Sequence, residues 1–212
     1  MEANVIEKKV NIVEKIEAKH QEIQKRHQKI LDAAIRLFSE RGYAGTSTAK
    51  LAKEAKVKEA TIYTHFANKR DLFVKCLEFI SDQFLEILQK ERNARPDDEL
   101  GYLQASIGAT VTLVKNHPHQ SRFLGQLQYY RIDPEFDAFY KESNEEVIEE
   151  IEQVLKSLKK KGVLKSTVNT RTLAAIFNNQ FSTILYLNEF TDPEHLTFEM
   201  AFQQVKNVLE ID

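Results

Sequence analysis

Residues 46–72, the most informative stretch of this chain, read TSTAKLAKEAKVKEATIYTHFANKRDL. The pattern predicts two short helices joined by a tight turn and then a longer helix, with Ser47 and Asn68 as the N-caps of the first and the last. The second short helix, roughly Lys58 to Thr64, leads into the aromatic-rich run IYTHF. This layout is typical of a helix-turn-helix that binds DNA, in which the second helix enters the major groove and the first crosses the backbone.

Composition favours an all-α protein. The chain has 212 residues, enough for one large or two small domains, and it contains only 6 Gly and 4 Pro. The single cysteine, Cys76, excludes an intramolecular disulfide and favours a reducing compartment, so we expect a cytoplasmic location. The first residues lack the apolar run of a signal peptide, and no apolar run approaches the roughly 18 residues of a membrane span.

The net charge of −2 hides an asymmetry along the chain. Residues 1–75 carry 16 Lys and Arg against 10 Asp and Glu, which gives +6. Residues 76–212 carry the other 14 against 22, which gives −8. A basic first third fits a nucleic-acid-binding module on a body that does not bind DNA, although patchy charge is also common in helical proteins.

Apolar spacing predicts the remaining helices. Ile16, Ile23 and Ile30 are seven residues apart, so residues 5–25 of the N-terminal arm (residues 1–25) are expected to run as a helix into the first helix of the DNA-binding head, which Gly42 ends. The alternative is that the arm is a frayed tail. Further helices are predicted at about 68–95, 98–115, around Phe123, 134–162, 169–190 and 192–209.

Several positions in residues 42–72 match the sequence pattern of a known protein family. They are Gly42-Tyr43, Thr46-Ser47, Leu51, Ala52, Ala55, Val57, Thr61-Ile62-Tyr63, His65-Phe66, Asn68-Lys69 and Leu72. With them, residues 27–72 resemble the TetR family of bacterial one-component repressors. The resemblance implies nine or so helices, a homodimer built on the last two, and a ligand pocket. It divides the chain into the arm, a DNA-binding domain at 26–72 with the helix-turn-helix at about 47–66, and a ligand-binding and dimerisation domain at 73–212.

Two residues depart from the family pattern. Lys56 stands in the turn where a glycine is usual, which questions the conformation of the turn, since glycine tolerates positive φ best. Lys58 stands where a serine usually caps the second helix. A lysine cannot accept bonds from the orphan N–H groups and is disfavoured by the helix dipole, but it can bind a phosphate or a guanine edge.

Nine residues of the head are predicted to contact DNA. They are Thr46, Ser47, Tyr63 and Lys69 at phosphates, Lys58, Glu59, Thr61 and Thr64 at base edges, and His65. Hydroxyls, free backbone N–H groups, a phenol and an ammonium suit phosphate oxygens. The alternatives are that Tyr63 and His65 pack against the first helix and that Lys69 is a solvated charge.

The C-terminal body is predicted to carry the dimer interface and an effector pocket. The helix at 169–190 is apolar nearly all round, so it must be buried on more than one side, and Phe181 and Leu185 are assigned to the interface between subunits. A cavity for a small lipophilic effector is expected among Ile107, Val111, Phe123, Leu127, Tyr130 and Phe177. The alternative is that these six side chains only fill a core. Asn178, Asn179 and Gln180 interrupt the apolar helix, as polar groups of a pocket or of the interface.

The chain shows no nucleophile elbow, P-loop or dinucleotide fingerprint, and we expect no catalytic residue, cofactor or metal. His117 and His119 flank a proline, but their spacing matches no strong ligand motif. The carboxylates Glu145, Glu146, Glu149, Glu150 and Glu152 precede several lysines, which fits a solvated helix better than paired catalytic acids.

The sequence therefore predicts a homodimeric transcriptional regulator, most simply a repressor released from double-stranded operator DNA by a small molecule. The alternatives are a small helical enzyme or metal-binding protein, and a helical adaptor that binds no DNA. An enzymatic activity or a stoichiometric metal would favour the first alternative. A well-folded dimer that binds no duplex would favour the second.

Overall fold

The computed structural model describes residues 2–127, 130, 134–165, 167–179 and 203, with the backbone alone at 2–13 and 135. Regular structure in this part of the chain is helical, which confirms the all-α prediction. The helices are α1 (Glu2–Gly45), α2 (Thr48–Ala55), α3 (Glu59–His65), α4 (Lys69–Ala94), α5 (Glu99–Asn116), α6 (Pro118–Gly125), α7 (Pro134–Lys160) and α8 (170–179). None of the described helices has both the length and the apolar character needed to cross a membrane.

The chain divides into two compact units, residues 1–76 and 77–212. The core of the first unit uses one face of α1, which carries Ile30, Ala33, Ala34, Leu37 and Phe38 at spacings of three and four residues. Its fully buried side chains include Ile30, Ala34, Phe38, Leu51, Ile62, Leu72 and Phe73. Phe38 meets Phe73 edge-on, with the ring centroids 5.1 Å apart. Because Leu51 and Ile62 contribute to this core from the two short helices, the core fixes both of them.

The arm is helical and continuous with the first helix of the head, as predicted, because α1 begins at Glu2. Gly42 interrupts α1 with φ 69° and ψ 170°, a conformation that side chains with a Cβ rarely adopt. The predicted end of the helix at Gly42 therefore appears as a sharp break before a last short turn. Ile16 and Ile23 of the arm are 63% and 44% exposed.

The second unit packs α5, α7 and α8 around one apolar core. Its buried members include Leu103 and Ile107 of α5, Val154 of α7 and Phe177 of α8. Asp98 caps α5 by accepting a hydrogen bond from the N–H of Gly101 at 2.8 Å. The predicted last helix at 192–209 and the two predicted interface residues, Phe181 and Leu185, lie outside the described residues.

A buried carboxylate ties α5 to the end of α7. Glu99 is 9% exposed, and its carboxylate accepts hydrogen bonds from Lys161 Nζ at 2.7 Å and from Ser157 Oγ at 2.6 Å. The bond from Lys161, followed by that from Ser157, lowers the pKa of Glu99 to about 2. The ion pair therefore holds the start of α5 against α7 throughout the neutral pH range.

Candidate nucleic-acid interface

The first short helix begins as the sequence predicted. Ser47 has extended backbone angles, φ −103° and ψ 155°, and its hydroxyl accepts a hydrogen bond from the N–H of Lys50 at 3.3 Å. The side chain thus caps one of the free N–H groups at the start of α2. Ser47 is exposed, so its hydroxyl lies on the surface, where the predicted phosphate contact requires it.

The turn between α2 and α3 keeps a left-handed residue although that residue is a lysine. Lys56 has φ 55° and ψ 44°. Its N–H donates to the Lys53 carbonyl at 3.3 Å, and the N–H of Val57 donates to the Ala52 carbonyl at 3.0 Å. These bonds satisfy carbonyl groups at the end of α2 in the way that glycine-ended helices do. The chain therefore forms the tight turn and accepts the strain of a Cβ at positive φ.

The second short helix starts without a side-chain cap, as the replacement of the usual serine predicts. Lys58 is the N-cap residue, with no hydrogen bond from its side chain to the helix. Lys58 and Glu59 are exposed at this end of α3. Thr61 is half-buried, and the exposed Thr64 donates its hydroxyl proton to the Thr61 carbonyl at 2.7 Å. The four predicted base-reading residues therefore lie along a short helix that is anchored beneath by Ile62.

Tyr63 is hydrogen-bonded through its phenol to the start of α2. Its side chain is 51% exposed, and its phenol donates to Thr48 Oγ1 at 3.2 Å. The Thr48 hydroxyl in turn donates to the Glu59 carboxylate. Thr48 was absent from the predicted site because it lies 11 and 15 residues from its two partners, and no local spacing rule joins residues so far apart.

The structure corrects the expectation for Thr46 and qualifies that for Lys69. The Thr46 side chain is 1% exposed, and its hydroxyl bonds to the carbonyl oxygens of Gly42 and Leu37 at 2.9 and 3.2 Å. It holds the turn after α1 and cannot reach a phosphate in this conformation. Lys69 Nζ donates to the carbonyls of Tyr43 and Thr46 at 3.0 and 2.9 Å. It also lies 4.2 Å from the centroid of the Tyr43 ring.

Lys69 is therefore not the solvated charge of the alternative interpretation. An ammonium group has three N–H donors, and two of them bind carbonyl groups of the turn after α1. The third is enough for one phosphate oxygen, so the phosphate contact stays a prediction. Asn68 caps α4 as predicted, by accepting from the N–H of Asp71 at 2.9 Å. The Asp71 carboxylate accepts a hydrogen bond from the N–H of Ala67 at 2.7 Å, one residue before the Asn68 N–H that it would bind in a capping box.

His65 lies against the first helix. Its ring centroid is 5.6 Å from that of His27 on α1, and the His27 ring stacks on Phe66 at 4.7 Å. Burial, followed by the nearby His65 and Lys75, lowers the pKa of His27. The packing role of His65 is thus present in the structure, and its contact with DNA stays a prediction.

The six predicted effector residues do not share one environment. Ile107, Val111 and Phe177 belong to the apolar core of the second unit, and Phe123 is fully buried. Leu127 and Tyr130 are half-buried. The placement of the four buried residues fits the alternative that they only fill a core. The effector role of all six residues stays a prediction.

A cavity of about 180 Å³ lies elsewhere in the second unit, between α4 and α7. None of the six predicted effector residues lines it. Its lining residues are Glu78, Ser81, Asp82, Phe84, Leu85, Phe139, Glu142, Ser143, Glu146 and Val147.

The glutamate run of α7 and the polar residue Asn178 of α8 make contacts within the second unit. Arg171 of α8 pairs with Glu145, and its guanidinium lies 3.6 Å from Glu152, which also binds Lys156 at 3.0 Å. Asn178 donates to the Asn144 side chain at 2.7 Å, within the same subunit. In the part of the chain that the structure describes, no three His, Cys, Asp or Glu side chains are grouped so that they could hold a metal ion.

Comparison with known proteins identifies the head. Residues 30–76 match the family model described as bacterial regulatory proteins, tetR family. Over 167 residues, 74% of each chain, the sequence is 31% identical to the HTH-type transcriptional regulator AcrR of Shigella flexneri. Over 65 residues it is 37% identical to IcaR of Staphylococcus epidermidis, the negative transcriptional regulator of the biofilm operon icaADBC. That match spans 31% of this chain and about a third, 35%, of the IcaR chain.

The fold has close counterparts among solved structures. The structure of AibR in complex with isovaleryl coenzyme A and operator DNA superposes with a TM-score of 0.69 at 22% sequence identity. The match covers 88% of this chain and all of the AibR chain. At 22% identity, the similarity between this chain and AibR shows a shared fold alone.

Proposed function

This chain belongs to the TetR family of bacterial regulatory proteins, and on that premise we propose that it is a homodimeric transcriptional repressor rather than an enzyme. It acts in the cytoplasm, binds a pseudo-palindromic operator through α3, and leaves that operator when a small lipophilic effector binds the C-terminal body.

The proposal that the protein binds DNA rests on the amphipathic character of α3. Ile62 is fully buried, whereas Tyr63 is 51% exposed and Lys58, Glu59 and Thr64 are also exposed. A helix of seven residues has little stability of its own, so the core contact through Ile62 is what holds the polar face in place. Such a fixed polar face is what direct reading of base edges in a major groove requires.

Charge supports the same assignment. The first 75 residues carry a net charge of +6, and exposed lysines lie on and beside the two short helices. These are Lys50, Lys53, Lys56 and Lys58. Cations that neutralise phosphates release counterions, which gives affinity for any duplex and makes that affinity depend on salt. The bases read by α3 then add sequence preference on top of this general affinity.

The test of this part is footprinting with the purified protein on genomic DNA. The protected site should be a pseudo-palindrome, with half-sites centred roughly one helical turn or a little more apart. Lys58→Ala and Thr61→Ala should change the sequence preference. Lys69→Ala should weaken all sequences alike and reduce the salt slope by about one unit. Lys90→Ala, an exposed lysine in the second unit, is the matched control and should change neither.

A salt slope that is unaltered in folded Lys69→Ala would show that Lys69 only holds the turn. Failure of the wild-type dimer to bind any duplex would instead favour a helical adaptor. Thermal denaturation of each variant separates lost contacts with DNA from lost folding.

The dimer is proposed to form through residues 170–209, two helices from each subunit. A charge at Phe181 or Leu185 would be buried without a partner, so Phe181→Asp should break the dimer or the fold. Sedimentation at micromolar concentration measures this directly. A folded wild-type monomer under these conditions would contradict the proposed interface.

The effector is proposed to be lipophilic because the six side chains assigned to its pocket are aliphatic or aromatic, and such pockets need only a few polar groups to orient a ligand. AibR, which shares the fold, has been crystallised with both an acyl thioester and operator DNA. A ligand that lowers operator affinity about 100-fold needs about 2.7 kcal/mol of preference for the non-binding state. A thermal-shift screen of lipophilic compounds, repeated with operator DNA, tests this part. The proposed effector response is wrong if no compound both stabilises the free protein and lowers its affinity for DNA.

A further inference from the structure

Thr48 lies at the centre of a hydrogen-bond chain that joins α2 to α3. The Tyr63 phenol donates to Thr48 Oγ1 at 3.2 Å, and the Thr48 hydroxyl donates to Glu59 Oε1. An ionised carboxylate can only accept hydrogen bonds, so its presence fixes the direction of the whole chain from phenol to hydroxyl to carboxylate. Bonds aligned in this way polarise one another and strengthen the arrangement.

The three residues occupy positions that matter for reading DNA. Glu59 and Tyr63 are four residues apart on α3 and therefore share a face of that helix. Glu59 is the first residue of α3, and Thr48 is the first residue of α2. In a helix-turn-helix, residues at the start of the second helix contact base edges. The hydroxyl of Thr48 thus holds a carboxylate that lies at the reading end of α3.

We propose that Thr48 is a positioning residue for base recognition. Its hydroxyl restricts the Glu59 side chain to one orientation, in which the carboxylate accepts a hydrogen bond from the N4 amine of a cytosine in the major groove. This inference rests on the proposed function, because it assumes that α3 enters that groove. Thr48 itself contacts no base.

The choice of cytosine follows from the chemistry of the groove edges. A carboxylate needs a donor, and cytosine offers its N4 amine, whereas guanine and thymine offer only acceptors at that edge. Adenine has a donor beside an acceptor, so it suits an amide better. One bond from Thr48 also leaves the carboxylate enough lone pairs for a second donor.

Positioning matters because Glu59 is exposed. An exposed glutamate samples several rotamers and must lose that freedom when it binds a base. A hydroxyl that fixes the rotamer in the free protein removes part of this loss, and it also disfavours rotamers that would let the carboxylate adapt to another base. The contribution of Thr48 should therefore appear as discrimination at one base pair rather than as general affinity.

The experiment is selection of bound duplexes from a randomised library, followed by competition binding with single-base variants of the selected site. Wild-type protein should prefer cytosine at one position of each half-site by at least tenfold, and Glu59→Ala should abolish that preference. Thr48→Val keeps the shape but removes the hydroxyl, so discrimination at this position should fall 5- to 10-fold. Other positions and the affinity for random duplex should stay within twofold.

Two variants separate positioning from a general effect on folding. Thr48→Ser restores the hydroxyl and should restore the preference. Thr112→Val removes a comparable exposed hydroxyl, bonded to the Gly108 carbonyl at 2.7 Å in the second unit, and should change nothing. Undiminished discrimination by Thr48→Val, or a selected site with no base preference that depends on Glu59, would overturn the inference and leave the proposed function intact. If wild-type protein bound no duplex, the proposed function would itself be lost.

Discussion

Replacing Lys56 with glycine should stabilise the protein, because this lysine is held in the left-handed region at φ 55° and ψ 44°. A side chain with a Cβ in that region crowds the following carbonyl oxygen, which costs about 1–2 kcal/mol. Glycine has no such conflict, although it loses more backbone entropy on folding, roughly 0.5–1 kcal/mol. Subtracting the lower estimate from the lower and the higher from the higher leaves a net gain of about 0.5–1 kcal/mol.

The structure offers a matched control in the helix that Lys56 ends. Lys53 is also an exposed lysine, but it lies in the last turn of α2 with helical backbone angles. Glycine there brings only the entropic loss, so Lys53→Gly should destabilise the protein by roughly 0.5–1 kcal/mol. The same chemical change is thus expected to have opposite signs at two positions three residues apart. Lys56→Ala removes the charge but keeps the Cβ, and it should bring none of the gain of Lys56→Gly.

Urea denaturation followed by circular dichroism measures the three variants against wild type. A gain of this size should also raise the melting temperature by roughly 1–4 °C in a chain of this length. Destabilisation by Lys56→Gly as large as that by Lys53→Gly would contradict this prediction. That result would mean that the turn does not hold Lys56 at positive φ in solution.

Three further predictions concern contacts within the units, at Lys69 and Asn68 in the first and at Glu99 in the second. Lys69→Met should cost about 2 kcal/mol in urea denaturation, because two charged hydrogen bonds to carbonyl groups and the contact with the Tyr43 ring are lost; a cost near zero would contradict this role. Asn68→Ala should cost about 1 kcal/mol by removing the cap of α4, whereas Asn68→Asp should keep most of it. Glu99→Gln should cost about 1 kcal/mol at pH 7, a modest value because Lys161 is half-exposed. Since the folded pKa of Glu99 is lowered to about 2 from 4.5, its contribution is present above pH 4.5 and is lost as the pH falls towards 2. Acid denaturation of wild type and variant should therefore converge across that window, and a constant difference would disprove the assignment.

Features that depend on neighbours in the chain could be predicted from the sequence. The predicted caps at Ser47 and Asn68 each act on an N–H group three residues ahead. The apolar face of α1 and the helices of the second unit follow from spacings of three and four residues, which a helix repeats whatever it packs against. The family pattern, too, is carried by such short-range positions.

The site could be predicted only in part, because its hydrogen bonds join residues that are far apart in the chain. Lys69 reaches carbonyl groups 23 and 26 residues away, and nothing in its own neighbourhood indicates that it holds the turn after α1. Thr46 matches the family pattern, yet whether its hydroxyl faces a phosphate or the interior depends on how α1 ends. The order of the helices does not contain that information, since a side chain has several rotamers and only its surroundings select one.

Local spacing and side chains that cap their own helix are enough to predict the helical class, the starts of α2 and α4 and the resemblance of residues 27–72 to the TetR family. The left-handed conformation of Lys56, the inward orientation of Thr46 and the link from Thr48 to Glu59 and Tyr63 depend instead on packing between helices. Local preference disfavours the first of these, but Leu51 and Ile62 are both fully buried on either side of the turn. Burying those two side chains contributes more than the strain at Lys56 costs, so the packing of the helices decides the conformation of the turn between them.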